Sequence, residues 1–264
     1  MTDRNIERSR RNTKKISIPY NLKEETRIKT YKMQFLKGII QMNKTDVKRI
    51  LVATDHTLLR PTATFDEIKK LLTEGMEFGC ASCCIPTSYV DEAVDFVNGA
   101  LPICTVIGFP NGYETTGSKL FQTEDALEGG ASEIDMVINL GWVKDGLWDL
   151  IYDEIEQIRD LCDDAILKVI IETSELEDRE KIRLCEIVTD CEADFIKTST
   201  GFASGGATPD DVLLLCRHVG PHIGVKASGG IRTLEDALAY LEIGAGRLGA
   251  SALVGLARPF FDEK

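Results

Sequence analysis

Short apolar runs alternate with amphipathic stretches from about residue 50 to the end of the chain. Apolar runs of this length, bounded by polar or turn-forming residues, are typical of strands that are buried on both faces. We predict eight strands, over residues 50–58, 81–85, 103–109, 133–139, 167–173, 195–200, 223–228 and 247–251.

The segments between these strands repeat apolar residues at helical spacing. Residues 64–78 are one such helix, and residues 178–191 and 233–243 are others; the first carries Phe65, Ile68, Leu71, Leu72 and Met76 on one face. A further helix is predicted to begin at Thr208, because a capping Thr, a Pro and two acidic residues follow one another there.

Eight units, each a strand followed by a helix, imply a parallel sheet. The number of units and the length of 264 residues favour a closed (β/α)8 TIM barrel over an open doubly wound sheet. In addition, no G-x-G-x-x-G follows the first strand, which removes the main signal for dinucleotide binding.

We assign residues 45–264 to the barrel and residues 1–44 to an N-terminal extension, helical or disordered. The first 30 residues hold nine Lys or Arg, which raises the alternative of a targeting peptide. They also hold four Asp or Glu, and transit peptides avoid acids, so the extension is favoured.

Composition narrows the function. A net charge of −12 argues against a nucleic-acid partner, although it allows a local basic pocket for an anion. Eight cysteines without a signal peptide favour a reduced, cytoplasmic protein, and no uncharged apolar run approaches the ~18 residues of a membrane helix.

Several predicted strands carry charges that a buried strand does not explain. These are Asp55, Asp135, Lys168 with Glu172, Lys197 and Lys226. An unpaired buried charge costs several kcal/mol, so each must pair, titrate or face a water-filled pocket. One interpretation is a structural network of ion pairs, and the other is an active site at the carboxyl ends of the strands.

Lys197 and Lys226 favour the second interpretation, because they lie in the sixth and seventh strands, which are neighbours in a barrel. Two ammonium groups held close together favour loss of one proton, and the neutral amine can attack a carbonyl and form a Schiff base. The iminium then permits carbanion chemistry at the next carbon, with Asp135 relaying protons through water or Lys226.

Glycine-containing turns lie at the ends of the last three strands. They are Gly201 with residues 205–206, Gly229 with Gly230, and residues 249–251 (Gly-Ala-Ser), which open a helix. Such glycines can be simple turn residues. In a barrel, however, loops after strands seven and eight often bind phosphate through backbone N–H groups. We therefore predict a phosphorylated substrate.

With these motifs the chain resembles deoxyribose-phosphate aldolase, over roughly residues 45–260. The resemblance rests on the segments DHTLLRP (55–61), IGFP (107–110), EIDMVIN (133–139), LKVIIET (167–173), FIKTSTGF (195–202) and GVKASGGIR (224–232). It implies a metal-free class I aldolase without a cofactor, which reversibly cleaves 2-deoxy-D-ribose 5-phosphate into D-glyceraldehyde 3-phosphate and acetaldehyde. The family is often dimeric, so a homodimer is expected.

The resemblance also implies roles for single residues. Lys197 forms the Schiff base, Lys226 perturbs it and shuttles protons, and Asp135 donates or accepts a proton. Phosphate contacts map to Gly201, Gly229, Gly230 and Ser251, and Asp55, Thr57, Lys168 and Cys84 complete the predicted substrate-binding set. Ala252 replaces a serine of some relatives, so one phosphate hydrogen bond is expected to be absent.

Three alternative functions agree less well with the sequence. A zinc site at Cys80, Cys83 and Cys84 lacks a second Cys pair at suitable spacing. A barrel isomerase or synthase would use carboxylates without a lysine, and a non-catalytic sugar-phosphate-binding barrel would not need Lys197, Lys226 and Asp135 together.

Overall fold

The computed structural model describes residues 42–262, and eight parallel strands close into a barrel within them. The strands follow one another around the barrel in chain order, and β8 pairs with β1. This confirms the predicted (β/α)8 TIM barrel. The predicted extension falls almost entirely outside the described residues.

All eight strands are short. They are β1 (Thr54–Thr57), β2 (Ser82–Ile85), β3 (Ile103–Ile107), β4 (Glu133–Val137), β5 (Ile166–Ile170), β6 (Phe195–Lys197), β7 (Gly224–Ser228) and β8 (Arg247–Ala250). Most of their side chains are buried on both faces, as expected for a barrel wall covered by helices.

Ten α-helices are found in the described part of the chain. They are α1 (Lys44–Val52), α2 (Phe65–Phe78), α3 (Val90–Val97), α4 (Thr116–Glu128), α5 (Leu140–Asp145), α6 (Trp148–Cys162), α7 (Asp178–Asp190), α8 (Pro209–His218), α9 (Leu234–Ile243) and α10 (Leu253–Ala257). Between residues 42 and 262 no helix has the length and apolarity to cross a bilayer.

Two predicted helix starts agree closely with the structure. Thr64 caps α2 and accepts a hydrogen bond from the backbone N–H of Glu67, whose side chain in turn accepts one from the Thr64 N–H. Thr208 caps α8 by accepting a hydrogen bond from the backbone N–H of Asp211, and α8 has Pro209 as its first residue and acids in its first turn.

The predicted first strand, residues 50–58, was wrong at its beginning. Residues 50–52 are the last turn of α1, which Asn43 caps. Val47, Ile50 and Leu51 of this helix are buried at helical spacing against α9 and α10. A short apolar run does not distinguish a buried helix end from a strand, and in this chain residues 50–52 belong to the helix.

The remaining strands mostly end earlier than predicted, because the chain leaves the sheet at its carboxyl edge. Glu172, expected within the fifth strand, lies two residues beyond β5 with a left-handed φ of 53°. The eighth strand, predicted over residues 247–251, ends at Ala250, so Gly249 lies within β8. These carboxyl ends and the loops after them form the rim where active sites of such barrels lie.

Candidate active site

Three lysines converge on one carboxylate inside the barrel. Lys197 and Lys226 both donate to Oδ2 of Asp135, at 2.8 and 2.6 Å. Lys168 donates to Oδ1 of the same side chain at 2.8 Å. The strand register produces this cluster, because Asp135 is the lateral partner of Lys168, and Lys197 is the partner of Lys226.

The cluster continues towards the amino-terminal side of the barrel through further ion pairs. Asp55 contacts Lys226 and accepts from Arg247 at 2.6 Å, and Glu133 contacts Lys168 at 2.6 Å. The network thus contains four cationic side chains and three carboxylates, all at least 85% buried. If every group carries its usual charge, one positive charge is in excess.

Each buried carboxylate in the centre is held ionised. Burial alone would raise the pKa of Asp135, but the three lysine ammonium groups around it outweigh burial and hold this pKa well below its ordinary value. The pKa of Asp55 is likewise lowered, because Lys226, Lys168 and Arg247 outweigh its burial.

Two of the lysines are held as cations. Burial would lower the pKa of Lys226, but the carboxylates of Asp135 and Asp55 outweigh burial and raise it above the ordinary value. The pKa of Lys168 is raised well above its ordinary value in the same manner, with Asp135 as the strongest partner. These two ammonium groups therefore belong to the charged framework of the site.

A pocket of about 380 Å³ opens above this network at the carboxyl ends of β1, β6, β7 and β8. Of the three lysines bound to Asp135, Lys197 is the one that lines the pocket. Within residues 42–262, its Nζ has a single carboxylate partner, whereas Lys168 and Lys226 each contact two or more.

All four predicted phosphate-binding positions line the same pocket, as does Thr57. They are Gly201, Gly229, Gly230 and Ser251. Gly229 has a φ of +82°, and a side chain on the neighbouring Gly206 would place its Cβ 2.4 Å from the Gly229 carbonyl oxygen. The two loops after β6 and β7 can approach this closely only because both positions lack a side chain.

The loop after β6 is fixed by a buried acid. Glu172 accepts hydrogen bonds from the backbone N–H of Thr200, at 3.1 Å, and from its hydroxyl. Thr200 Oγ1 in turn accepts from the N–H of Phe202 at 3.1 Å. These hydrogen bonds hold the start of the loop that carries Gly201 in place, which lowers the entropic cost of ordering it on binding.

Five predicted site residues lie beneath the pocket rather than on its wall. Asp135 and Lys226 are in the layer directly below Lys197, and Asp55 and Lys168 are deeper in the network. Cys84 packs in a small buried cluster with Cys104 and Val106, against Leu59 of the pocket wall. Contact with substrate is thus indirect for Asp55, Lys168 and Cys84 in this arrangement.

Sequence reasoning missed several members of the site. Glu133 and Arg247 complete the ion-pair network. Arg60 and Arg232 bring positive charge to the pocket wall. Glu133 could have been predicted from the sequence, because it lies two residues before Asp135 and both side chains are therefore on the same face of β4.

Cys104 was also missed, and with it a grouping of possible metal ligands. Single ligand atoms of Cys84, Cys104 and Asp135 all lie within 4.8 Å of one another. A cation there would compete with Lys168 and Lys197, which already bind both oxygens of Asp135. The positive surroundings therefore disfavour a metal ion at this position.

Comparison with known proteins gives a consistent result. Residues 49–257 match the family described as DeoC/LacD family aldolase. A deoxyribose-phosphate aldolase of Streptococcus pyogenes serotype M2 (strain MGAS10270) is 53% identical over 213 residues, which cover 81% of this chain and 96% of that protein.

Two solved structures resemble the barrel closely. A tetrameric deoxyribose phosphate aldolase from Aeropyrum pernix aligns with a TM-score of 0.78 at 30% identity, covering 88% of this chain and 97% of the other. An aldolase named QR15 aligns with a TM-score of 0.77 at 36% identity, covering 80% of this chain and 95% of the other.

Proposed function

The chain belongs to the DeoC/LacD family of aldolases, and from this premise we propose that it cleaves 2-deoxy-D-ribose 5-phosphate reversibly into D-glyceraldehyde 3-phosphate and acetaldehyde. We propose Lys197 as the Schiff-base nucleophile, with Lys226 and Asp135 as its partners. The resemblance implies neither a metal ion nor a cofactor for this reaction.

The observation that carries the proposal is the position of Lys197 in the charge network. Its side chain lines the pocket, while the ammonium groups of Lys168 and Lys226 stay below, each among two or more carboxylates. Lys197 is therefore the lysine of the network whose amine a substrate carbonyl in the pocket can reach.

The reaction follows from this amine. Nζ of Lys197 attacks C1 of the open-chain sugar, and loss of water leaves an iminium ion. A base removes the proton of the C3 hydroxyl, the C2–C3 bond breaks, and D-glyceraldehyde 3-phosphate leaves while the electron pair forms an enamine. Protonation of C2 and hydrolysis then release acetaldehyde and restore Lys197.

Asp135 and Lys226 are suited to the proton transfers. They meet at Oδ2 of Asp135, where Nζ of Lys197 also donates. A proton can therefore pass between the three groups over hydrogen-bonded distances of 2.6 and 2.8 Å, without a change of side-chain conformation.

The glycine loops are suited to the phosphate. Gly201, Gly229 and Gly230 line the pocket together with Ser251, Arg60 and Arg232. Backbone N–H groups and guanidinium groups are the usual donors to phosphate oxygens. Ala252 lines the same wall and offers no hydroxyl, consistent with one fewer donor there.

Trapping with borohydride tests the proposal. We expect incubation with 2-deoxy-D-ribose 5-phosphate and borohydride to give a reduced adduct on Lys197, located by mass spectrometry. The variant Lys197→Met should give none, whereas Lys144→Met, which removes an exposed lysine far from the network, should label like the native protein. A folded native protein without an adduct on any lysine would rule out the Schiff-base mechanism.

Assembly and location remain predictions of the same proposal. We predict a homodimer, and light scattering after gel filtration would distinguish it from the tetramer described for the Aeropyrum pernix protein. A cytoplasmic location agrees with eight cysteines that are all unpaired thiols.

A further inference from the structure

Two buried cysteines lie side by side beneath the pocket wall. Cys84 in β2 and Cys104 in β3 are lateral partners across the two parallel strands. Their sulfur atoms lie within 4.8 Å of each other, and Cys104 Sγ also lies 3.3 Å from Oδ1 of Asp135 and 3.4 Å from Nζ of Lys168. The pair is therefore attached directly to the charge network.

We propose that Cys84 and Cys104 form an oxidant-sensitive dithiol, which a peroxide converts into a disulfide across β2 and β3. This would be a modification site separate from the aldolase chemistry. It would be reversed by a dithiol reductant.

The backbone geometry permits this bond. Neighbouring strands are about 4.8 Å apart, and Cα atoms joined by a disulfide lie about 4.4–6.8 Å apart. Because Cys84 and Cys104 are lateral partners, no shift of register is needed. Their two sulfur atoms lie within 4.8 Å, so side-chain rotation has to bring them to bonding distance.

The charge of the site favours the reactive form of one thiol. The neighbouring Cys104 thiol, together with Lys226 and Lys197, outweighs burial and lowers the pKa of Cys84. Burial and the neighbouring Asp135 raise the pKa of Cys104 well above its ordinary value. The thiolate is the form of cysteine that attacks an oxidant.

The chemistry balances with hydrogen peroxide as the oxidant. The Cys84 thiolate attacks one peroxide oxygen, giving a sulfenic acid and hydroxide, which takes up a proton. The Cys104 thiol then attacks the sulfenic sulfur and water leaves. Two thiols lose two electrons and two protons, and one peroxide becomes two molecules of water.

The other cysteines nearby are not equivalent to this pair. Cys83 points to the opposite face of β2, where its thiol donates to the Leu71 carbonyl oxygen at 3.6 Å. Burial raises the pKa of Cys80 to about 12, which disfavours its thiolate. Leu59 packs on the Cys84–Cys104 cluster and lines the pocket, so a small oxidant in the pocket is separated from the thiols by one side chain.

Peptide mapping tests the proposal on the folded, full-length protein. Trypsin leaves Cys80, Cys83, Cys84 and Cys104 on one peptide, because no Lys or Arg occurs between Lys70 and Lys119. Cleavage after glutamate separates peptide 78–92, with three cysteines, from peptide 93–114, which contains Cys104 alone. We expect hydrogen peroxide to link these two peptides, and dithiothreitol to separate them.

Matched variants identify the partner of Cys104. The link should persist in Cys83→Ala and disappear in Cys84→Ala and in Cys104→Ala. Absence of the link in the oxidised native protein, its persistence in Cys84→Ala, or oxidation of Cys84 without a link would each overturn the proposal. The masses report on the bond itself, so this result does not depend on whether the protein is an aldolase.

A second readout is activity. The disulfide removes the Cys104 thiol from Asp135, a hydrogen bond to a charged group, and we expect kcat to fall about tenfold and to recover with reductant. Each variant is compared with its own reduced form, and Cys104→Ala should lose no further activity with peroxide. Loss of activity in Cys104→Ala at the native rate would contradict a role for this bond in inactivation.

Discussion

Replacing Lys226 with methionine should move the acid side of the pH–activity profile to higher pH. Nζ of Lys197 and Nζ of Lys226 lie 2.8 and 2.6 Å from the same oxygen of Asp135, so they are at most about 5.4 Å apart. At an effective dielectric constant of about 20, two unit charges at this separation repel by about 3 kcal/mol. That energy corresponds to about two pH units.

The net charge of the ion-pair network also changes the pH profile in the same direction. Without the Lys226 ammonium, three cations that include a protonated Lys197 already balance the three carboxylates. The variant therefore favours the ammonium form of Lys197, and we expect kcat/KM at pH 7 to fall about 100-fold and to recover in part near pH 9.

The assay is the pH dependence of kcat/KM, combined with the rate of borohydride trapping by acetaldehyde at each pH. The control is Lys226→Arg, which keeps a positive charge beside Asp135 and should leave the acid side of the profile near its native position. If Lys226→Met is folded and keeps the native profile and trapping rate, repulsion between the two lysines does not activate Lys197.

Four further outcomes are expected. Asp135→Asn should lower kcat by about 10²- to 10⁴-fold with a native circular dichroism spectrum, and a loss below tenfold would exclude general acid–base catalysis by Asp135. Arg232→Gln should raise KM for the phosphorylated sugar about tenfold but leave KM for unphosphorylated 2-deoxyribose unchanged, as steady-state kinetics on both substrates would reveal. Lys119→Met breaks a fully buried ion pair with Glu154, so the free energy of unfolding measured in urea should fall by about 3–5 kcal/mol. The double variant with Glu154→Leu should regain much of this stability, because no unpaired carboxylate remains. The carboxyl pKa values of Asp55 and Asp135 are lowered in the folded protein, so their stabilising effect is complete above about pH 5. Thermal unfolding should therefore show stability falling progressively as the pH drops from about 5 towards the lowered values, and an unchanged Tm down to pH 2 would contradict this.

The order of the elements could be read from the sequence, because barrel strands and covering helices have different hydrophobic periods. The caps at Thr64 and Thr208 were equally local signals, since a side-chain oxygen and an N–H three residues later suffice to define them. That Lys197 and Lys226 lie close to each other also followed from chain order alone, because consecutive strands of a barrel pair with each other.

The depth of each side chain in the barrel could not be read in this way. Strands in a barrel are tilted and staggered, so equal positions along two strands do not lie at equal heights. Asp55 and Lys197 both belong to short strands, yet Lys197 lines the pocket and Asp55 lies below it against Arg247. Arg247 itself opens β8 at the opposite end from the pocket, and no local pattern connects it with Asp55, which is 192 residues away.

The sequence left two interpretations open for the charges within strands, a structural network of ion pairs or an active site. In the structure the same charged side chains form both the ion-pair network and the floor of the candidate active site. Asp55, Glu133 and Asp135 connect β1 and β4 with the cations of β5, β7 and β8, so removing any one carboxylate would leave buried cations unpaired. The same fixed carboxylates hold Lys168 and Lys226 as cations. With those cations fixed, Lys197 is the lysine of the network that lines the pocket. The structural pairing of the lower lysines thus holds the charges that surround Lys197, and a variant that loosens the lower pairs should reduce activity without touching the pocket.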